Sequence, residues 1–134
     1  MCIALDEAVC WRLMETVEVG RLSYTEAALP VVRTVPFVVE NGACVVVALS
    51  LAVTSIRVFA QPTIVAFEAG EWRPREHHGS SVLLVGRASA ASELDAVRFA
   101  ERGLLPWIVG QLALYVQVMG GVVTGQRVVG WVEP

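Results

Sequence analysis

The sequence predicts a mainly β protein in which single helices are inserted into an antiparallel barrel. Three observations carry this. Apolar and mixed residues alternate at period two in six or seven separate stretches. Between two of them stands Asn41-Gly42, a dipeptide suited to the two positive φ angles of a type I′ hairpin turn. Helical periodicity occurs only singly and does not alternate with the strands, which argues against a parallel α/β sheet.

Taken in chain order, Leu5, Val9 and Leu13 fall at i, i+4 and i+8, with Met14 and Val17 continuing the stripe, and this predicts an amphipathic first helix. "VGRLSYTE" (19–26) is a first strand. "PVVRTVPFVVE" (30–40) is a second, in which Pro36 requires an edge or a bulge. Asn41-Gly42 turns it back onto "ACVVVAL" (43–49). Residues 51–61 lose the alternation and end before Pro62, so they form a short helix or an irregular connector. "TIVAFEAG" (63–70) is the fourth strand, and the polar "EWRPREHHG" (71–79) is a loop. "SSVLLVGRASA" (80–90) returns to strand, with Gly86 at a bulge or close approach. Ser92 caps a second helix that carries acids first and arginines last, as the helix dipole favours, and Gly103 ends it. "QLALYVQV" (111–118) and "VVTGQRVVGW" (122–131) are two last strands joined through Gly120-Gly121.

At 134 residues the chain fits one domain, 1–134, with an unusually high apolar fraction of 55% and only 17% charged residues. A partner subunit would account for that surplus of apolar side chains. The net charge of −3 comes from scattered acids and arginines, with no basic block to follow a phosphodiester backbone, so nucleic acid is not an expected partner. Every basic residue is Arg and none is Lys. An anion must therefore be met by Arg, hydroxyls or backbone. Residues 103–126 carry no charge, yet Pro106, Gly110, Gly120, Gly121 and two glutamines interrupt them, which argues against a membrane span. Cys2, Cys10 and Cys44 form no C-x-x-C pair and no signal peptide precedes them, so a reduced cytoplasmic setting is expected. His77 and His78 are adjacent but lack further ligands at metal-site spacing, so no metal is expected. No nucleophile elbow or buried acid pair is present, and no catalytic residue can be named. Tyr115 is expected on a barrel strand with its hydroxyl at the rim.

Several stretches taken together and in order resemble the flavin-binding split barrels related to pyridoxamine 5′-phosphate oxidase, especially their small bacterial members. They are "VGRLSY", "LPVVRTVPFVVENG", "PTIVAFE", "SSVLLVGRA", and "LLPWIVGQ" followed by "VVTGQRV". The resemblance implies a six-stranded antiparallel Greek-key split barrel that forms a homodimer, with FMN, or a deazaflavin coenzyme, in clefts between the subunits. It further implies hydride transfer on a small-molecule substrate that the sequence does not specify. Position by position, it places the ring against Arg33, Thr34 and Val35 and the phosphate against Ser50, Thr54 and Ser55. Ser80, Ser81 and Trp107 would border the same cleft. Arg87 matches the arginine of the family's "GRA" stretch.

The sequence also departs from the family pattern. Val53 stands where small members often have Gly, Ser55 where they often have Lys, and Ser80 where they often have Trp. Gly admits backbone amides to a phosphate and Lys neutralises it, so Arg57 becomes the candidate substitute cation. On a helical connector, however, it would lie on the face opposite Ser55. The alternative reading is accordingly a dimeric binding protein for flavin, haem or an apolar ligand without turnover, or a member with a degenerate site and no cofactor.

Overall fold

The computed structural model of the chain describes residues 1–107 and 112–131. Along it run β1 (Cys2–Leu5), α1 (Glu7–Glu15), β2 (Val19–Glu26), β3 (Leu29–Glu40), β4 (Cys44–Ser50), β5 (Thr63–Arg73), β6 (His78–Ala90), α2 (Glu93–Glu101) and β7 (Ala113–Val129). A 3₁₀ turn, Ile56–Phe59, interrupts the connector after β4. All strand pairs are antiparallel, and the order β7–β4–β3–β2–β5–β6 closes back onto β7, so six strands form a ring. This is the expected mainly β barrel with two inserted helices.

Strand alternation divides the apolar residues between two cores. Val45, Val47 and Leu49 of β4 face into the barrel, where they join Leu22, Val35, Phe67, Leu84 and Val116. Helix α1 plugs that interior with Cys10 and Met14, both fully buried. The opposite face of β4 is also buried, because Cys44, Val46 and Ala48 pack beneath Phe99, Leu104 and Tyr115. Cys44 is thus a packing residue, as its apolar run predicts. Helix α2 begins where Ser92 Oγ accepts the Asp95 amide and ends before Gly103 at φ +88°.

Four local expectations are corrected. Asp6 caps α1 by accepting the Val9 amide, so Leu5 falls outside the helix and closes β1, a strand paired to the outer side of β7. The polar stretch 71–79 is mostly strand, since the β5–β6 ladder runs from Thr63↔Ala88 to Arg73↔His78 and leaves only a tight turn. Residues 113–129 are one continuous strand rather than two. Gly120 and Gly121 have positive φ there, yet the chain does not reverse. Instead the register with β6 slips between Val85↔Val122 and Arg87↔Met119. A Cβ at Gly121 would collide with the Val85 carbonyl oxygen, so the strands touch backbone to backbone at this bulge. Finally, Tyr115 does not present its hydroxyl at the rim: it is buried and donates to the Leu104 carbonyl at 2.6 Å.

The hairpin turns differ in how well sequence announces them. Asn41 and Gly42 have φ +52° and +61°, and the Ala43 amide donates to the Glu40 carbonyl, as a type I′ turn requires. The β2–β3 hairpin turns on Ala27 and Ala28, which also have positive φ, +50° and +64°. Alanine pays a steric penalty in that region of roughly 1–2 kcal/mol per residue. The double substitution Ala27→Asn, Ala28→Gly is expected to raise unfolding stability by about 1 kcal/mol in urea titration without altering the fold; an unchanged or lower midpoint would refute a strained turn.

Burial also sets an alkaline limit. Desolvation, with help from Glu40, pushes the Cys44 thiol from 9.0 up to about 11. Burial raises Cys10 and Tyr115 in the same direction. The unfolded thiol ionises first, so stability is full below pH 9 and declines as pH rises toward 11, by up to about 3 kcal/mol from Cys44. Urea midpoints measured from pH 8 to 11 should fall along this slope, and Cys44→Ala should flatten it.

Candidate functional site

The barrel wall parts between β3 and β4. The β3–β4 ladder runs from Glu40↔Cys44 only as far as Phe37↔Val47, although β4 continues to Ser50 and β3 reaches back to Leu29. Pro36, which has no N–H to donate, lies at the point of divergence. Beyond it the strands splay. The wedge between them is a groove of about 90 Å³ bordered by Arg33, Thr34 and Val35 of β3, Ala48 to Ser50 of β4, Val53, and Pro106 with Trp107 after α2.

The connector that bounds this wedge is held by its own hydrogen bonds. Ser50 Oγ accepts the Ala52 amide at 3.1 Å, and the Ser50 carbonyl accepts the Val53 amide at 3.1 Å. Thr54 is 7% exposed, and its Oγ1 accepts from the Tyr24 hydroxyl at 3.0 Å, which ties the connector down onto β2. The Tyr24 ring in turn meets Phe59 edge-on at 5.1 Å. Ser55 Oγ caps the 3₁₀ turn by accepting the Arg57 amide. Arg57 itself is exposed and outside the groove.

Arg33 supplies the only charge among the residues that line the groove. Its Nη2 donates across the wedge to the Val53 carbonyl at 2.8 Å. Its Nε is buried and has no hydrogen-bond partner among the described residues. An unpaired buried donor on a cation costs about 1–3 kcal/mol or more, so this nitrogen is poised for an acceptor. The remaining lining is apolar or small, and Trp107 stands at the rim, 54% exposed. Pro36 and Trp107 also wall an adjoining depression of about 310 Å³ with Glu18, Val38 and Arg102. A flat organic ring with an anionic tail suits this combination of apolar walls, one orphaned cationic donor and an aromatic lip.

Of the residues named from sequence, the fold gathers Arg33, Thr34, Val35, Ser50 and Trp107 into one groove. Thr54 is a buried tie beneath it, while Ser55 and Arg57 lie beside it. Ser80 and Ser81 lie elsewhere in the chain. Ser81 is registered with Gly70 of β5 and Gln126 of β7, and borders a separate depression with Glu68 and Thr124. From β3 to β6 the wall crosses β2 and β5, about 14 Å at the usual strand spacing. Ala48 and Leu49 line the groove without having been marked, because in sequence they are indistinguishable from the rest of a buried strand.

Comparison with known proteins agrees with this architecture. The chain is 32% identical over 130 residues to the uncharacterized protein Rv0080 of Mycobacterium tuberculosis (strain ATCC 25618 / H37Rv), covering 95% of this chain and 86% of that one. Among solved structures, a Corynebacterium glutamicum protein superposes with a TM-score of 0.80 at 21% identity, covering 98% of this chain and 96% of that one. The FAD binding protein from Mycobacterium smegmatis superposes with a TM-score of 0.76 at 27% identity, covering 96% and 100%. The sequence pattern of the pyridoxamine 5′-phosphate oxidase family matches residues 6–117, and with the split ring and its groove this places the chain in that family.

Proposed function

We propose that the protein is a flavin-dependent oxidoreductase, binding FMN at the Arg33 groove and acting as a homodimer. The single observation that carries this reading is the buried, unpartnered Nε of Arg33 among apolar walls and beside Trp107. A resemblance to a solved FAD binding protein at 27% identity supports a flavin as the occupant. One guanidinium is better matched to one phosphate than to a pyrophosphate, which favours the mononucleotide. A bound flavin would supply hydride transfer. The chain's own part is to hold the tail on Arg33 and the Ser50 hydroxyl, whose proton is still free to donate, and to lay the ring against Val35, Pro36 and Trp107. Among the described lining residues there is no histidine, cysteine or carboxylate, so the groove orients and shields rather than exchanging protons.

A groove of about 90 Å³ is small against the roughly 300–1,000 Å³ of ligand pockets. A second copy of the chain is the natural completion. Helix α2 covers the outside of β4 and β7, whereas the outer wall of β3, β2 and β5 is uncovered. On it Val32, Ser23 and Ala66 form one cross-strand row, and Thr34, Arg21 and Glu68 the next, with Arg21 and Glu68 ion-paired. Val32 is 62% exposed. Docking two such walls would bury this row beside the groove and bring the β6 segment carrying Ser80 and Ser81 from the other copy toward it.

A second reading rests on the connector. The amides of Ala52 and Val53 already donate within the protein, so the connector offers no ready backbone cradle for a phosphate. On that reading the dimer binds a ligand without turnover.

Titration with FMN, FAD and a deazaflavin coenzyme, followed by anaerobic reduction with NADPH, separates the two. FMN should bind most tightly and be reduced; binding without reduction favours the second reading, and no flavin binding by the wild-type protein refutes the first. Arg33→Gln should weaken FMN by about 10- to 100-fold, the scale of 1.5–3 kcal/mol for a hydrogen bond to a charged group. Ser50→Ala should cost about 1–2 kcal/mol. In sedimentation, Val32→Glu should convert a dimer to a monomer; a wild-type monomer would refute the dimer.

A further inference from the structure

A second groove is larger than the one at Arg33. It measures about 700 Å³ and lies where β6 and β7 slip past each other at the Gly86 and Gly120-Gly121 bulge. The two grooves share no lining residue. Ile64 of β5, Val85 of β6, and Met119 and Val122 of β7 make its apolar surface, with Ile64 and Val122 each 64% exposed. Register explains why they converge. Ile64, Arg87 and Met119 form one cross-strand row, and Ala66, Val85 and Val122 form the next. The bulge drops Gly86, Gly120 and Gly121 out of the ladder between those rows, so the floor has no side chains of its own.

One cation stands in this apolar setting. Arg87 lines the groove with the Ser89 hydroxyl two residues on. Arg87 makes no hydrogen bond or ion pair among the described residues, unlike Arg21, Arg33, Arg73, Arg98 and Arg102, each of which is bonded. A guanidinium fork matches a carboxylate bidentately, and an anion docked there is attracted without displacing an existing partner. The volume falls within the range of small-molecule pockets.

We propose that this groove is a second ligand site, one that takes an organic monoanion with an apolar body, its carboxylate on Arg87 and Ser89 and its hydrocarbon between Ile64, Val85, Met119 and Val122. The site uses none of the lining residues of the Arg33 groove, although its Val85 and Val122 continue the Val32–Ser23–Ala66 row of the proposed dimer wall.

Decanoate tests it, with decanol as the uncharged control. Both are titrated calorimetrically below the micellar range, and by displacement of 8-anilinonaphthalene-1-sulfonate. One decanoate should bind per chain and raise the melting temperature, with decanol at least ten-fold weaker. Arg87→Gln should lower decanoate affinity about ten-fold or more while leaving decanol unchanged, and Ile64→Glu should abolish both. Arg33→Gln should leave decanoate binding intact, so loss of flavin binding and loss of decanoate binding report on separate sites. Equal binding of decanoate and decanol, or an Arg87→Gln protein that binds decanoate like the wild type, would overturn the proposal. So would absent decanoate binding together with an Ile64→Glu variant that turns a dimer into a monomer, which would make the groove a contact between copies.

Discussion

The demand that strand edges find partners governs this fold, and the place where β3 and β4 part creates the site. β7 meets that demand on both sides at once. Its first half pairs with β4, its second half with β1, and nearly its whole length with β6. Such a strand closes the ring and removes the open edges that a flat sheet would expose. The β2–β5 ladder ends at Ser23↔Ala66, and between β3 and β4 the ladder stops at Phe37↔Val47 while both strands continue. There the backbone is no longer shielded by its neighbour, and the gap is bridged by a side chain, Arg33, reaching the Val53 carbonyl.

The same side chain explains why the gap neither closes nor widens. Pro36 cannot donate to a continued ladder, which removes a backbone bond at the point where the strands part. Arg33 holds them at guanidinium length, with one nitrogen engaged and another left without an acceptor. Beneath, Tyr24 and Thr54 fasten the connector to β2 through a buried hydrogen bond, and Phe59 packs against the Tyr24 ring. Hydroxyls that a sequence reading assigns to a ligand are thus the groove's foundation. The distinction is one of burial: Thr54 is 7% exposed, whereas Trp107 at the lip is 54% exposed.

What could be read from the sequence follows from which constraints are local. Asn41-Gly42 announces its turn because those residues relieve a local steric cost, whereas Ala27-Ala28 takes the same backbone region with no chemical signature, enforced by eight consecutive pairs between β2 and β3. Gly120-Gly121 reads as a turn for the same local reason, yet β6 holds β7 straight on both sides of it. Residues 71–73 are polar because they are exposed, not because they are irregular. In the groove, Arg33, Thr34, Val35 and Ser50 were visible through the resemblance and the strand pattern. The separation of Ser80 and Ser81 from them was not, since it depends on β2 and β5 lying between β3 and β6.

Placement of the lip draws on the most distant couplings of all. Glu40, at the end of β3, accepts from Arg98 and Arg102, which fixes α2 across the outside of β4 and β7. Phe99 of that helix meets Tyr115 at 5.9 Å, and the Tyr115 hydroxyl holds the Leu104 carbonyl at 2.6 Å. Three residues later the chain delivers Trp107 to the rim. One strand therefore sets both sides of the groove: β3 supplies Arg33 to its wall directly, and through Glu40 it anchors the helix from which the aromatic lip descends. An exposed Glu–Arg contact usually contributes little to stability. Here the Glu40 side chain is only 11% exposed and serves two arginines, so its weight lies in orienting α2 rather than in the strength of either ion pair.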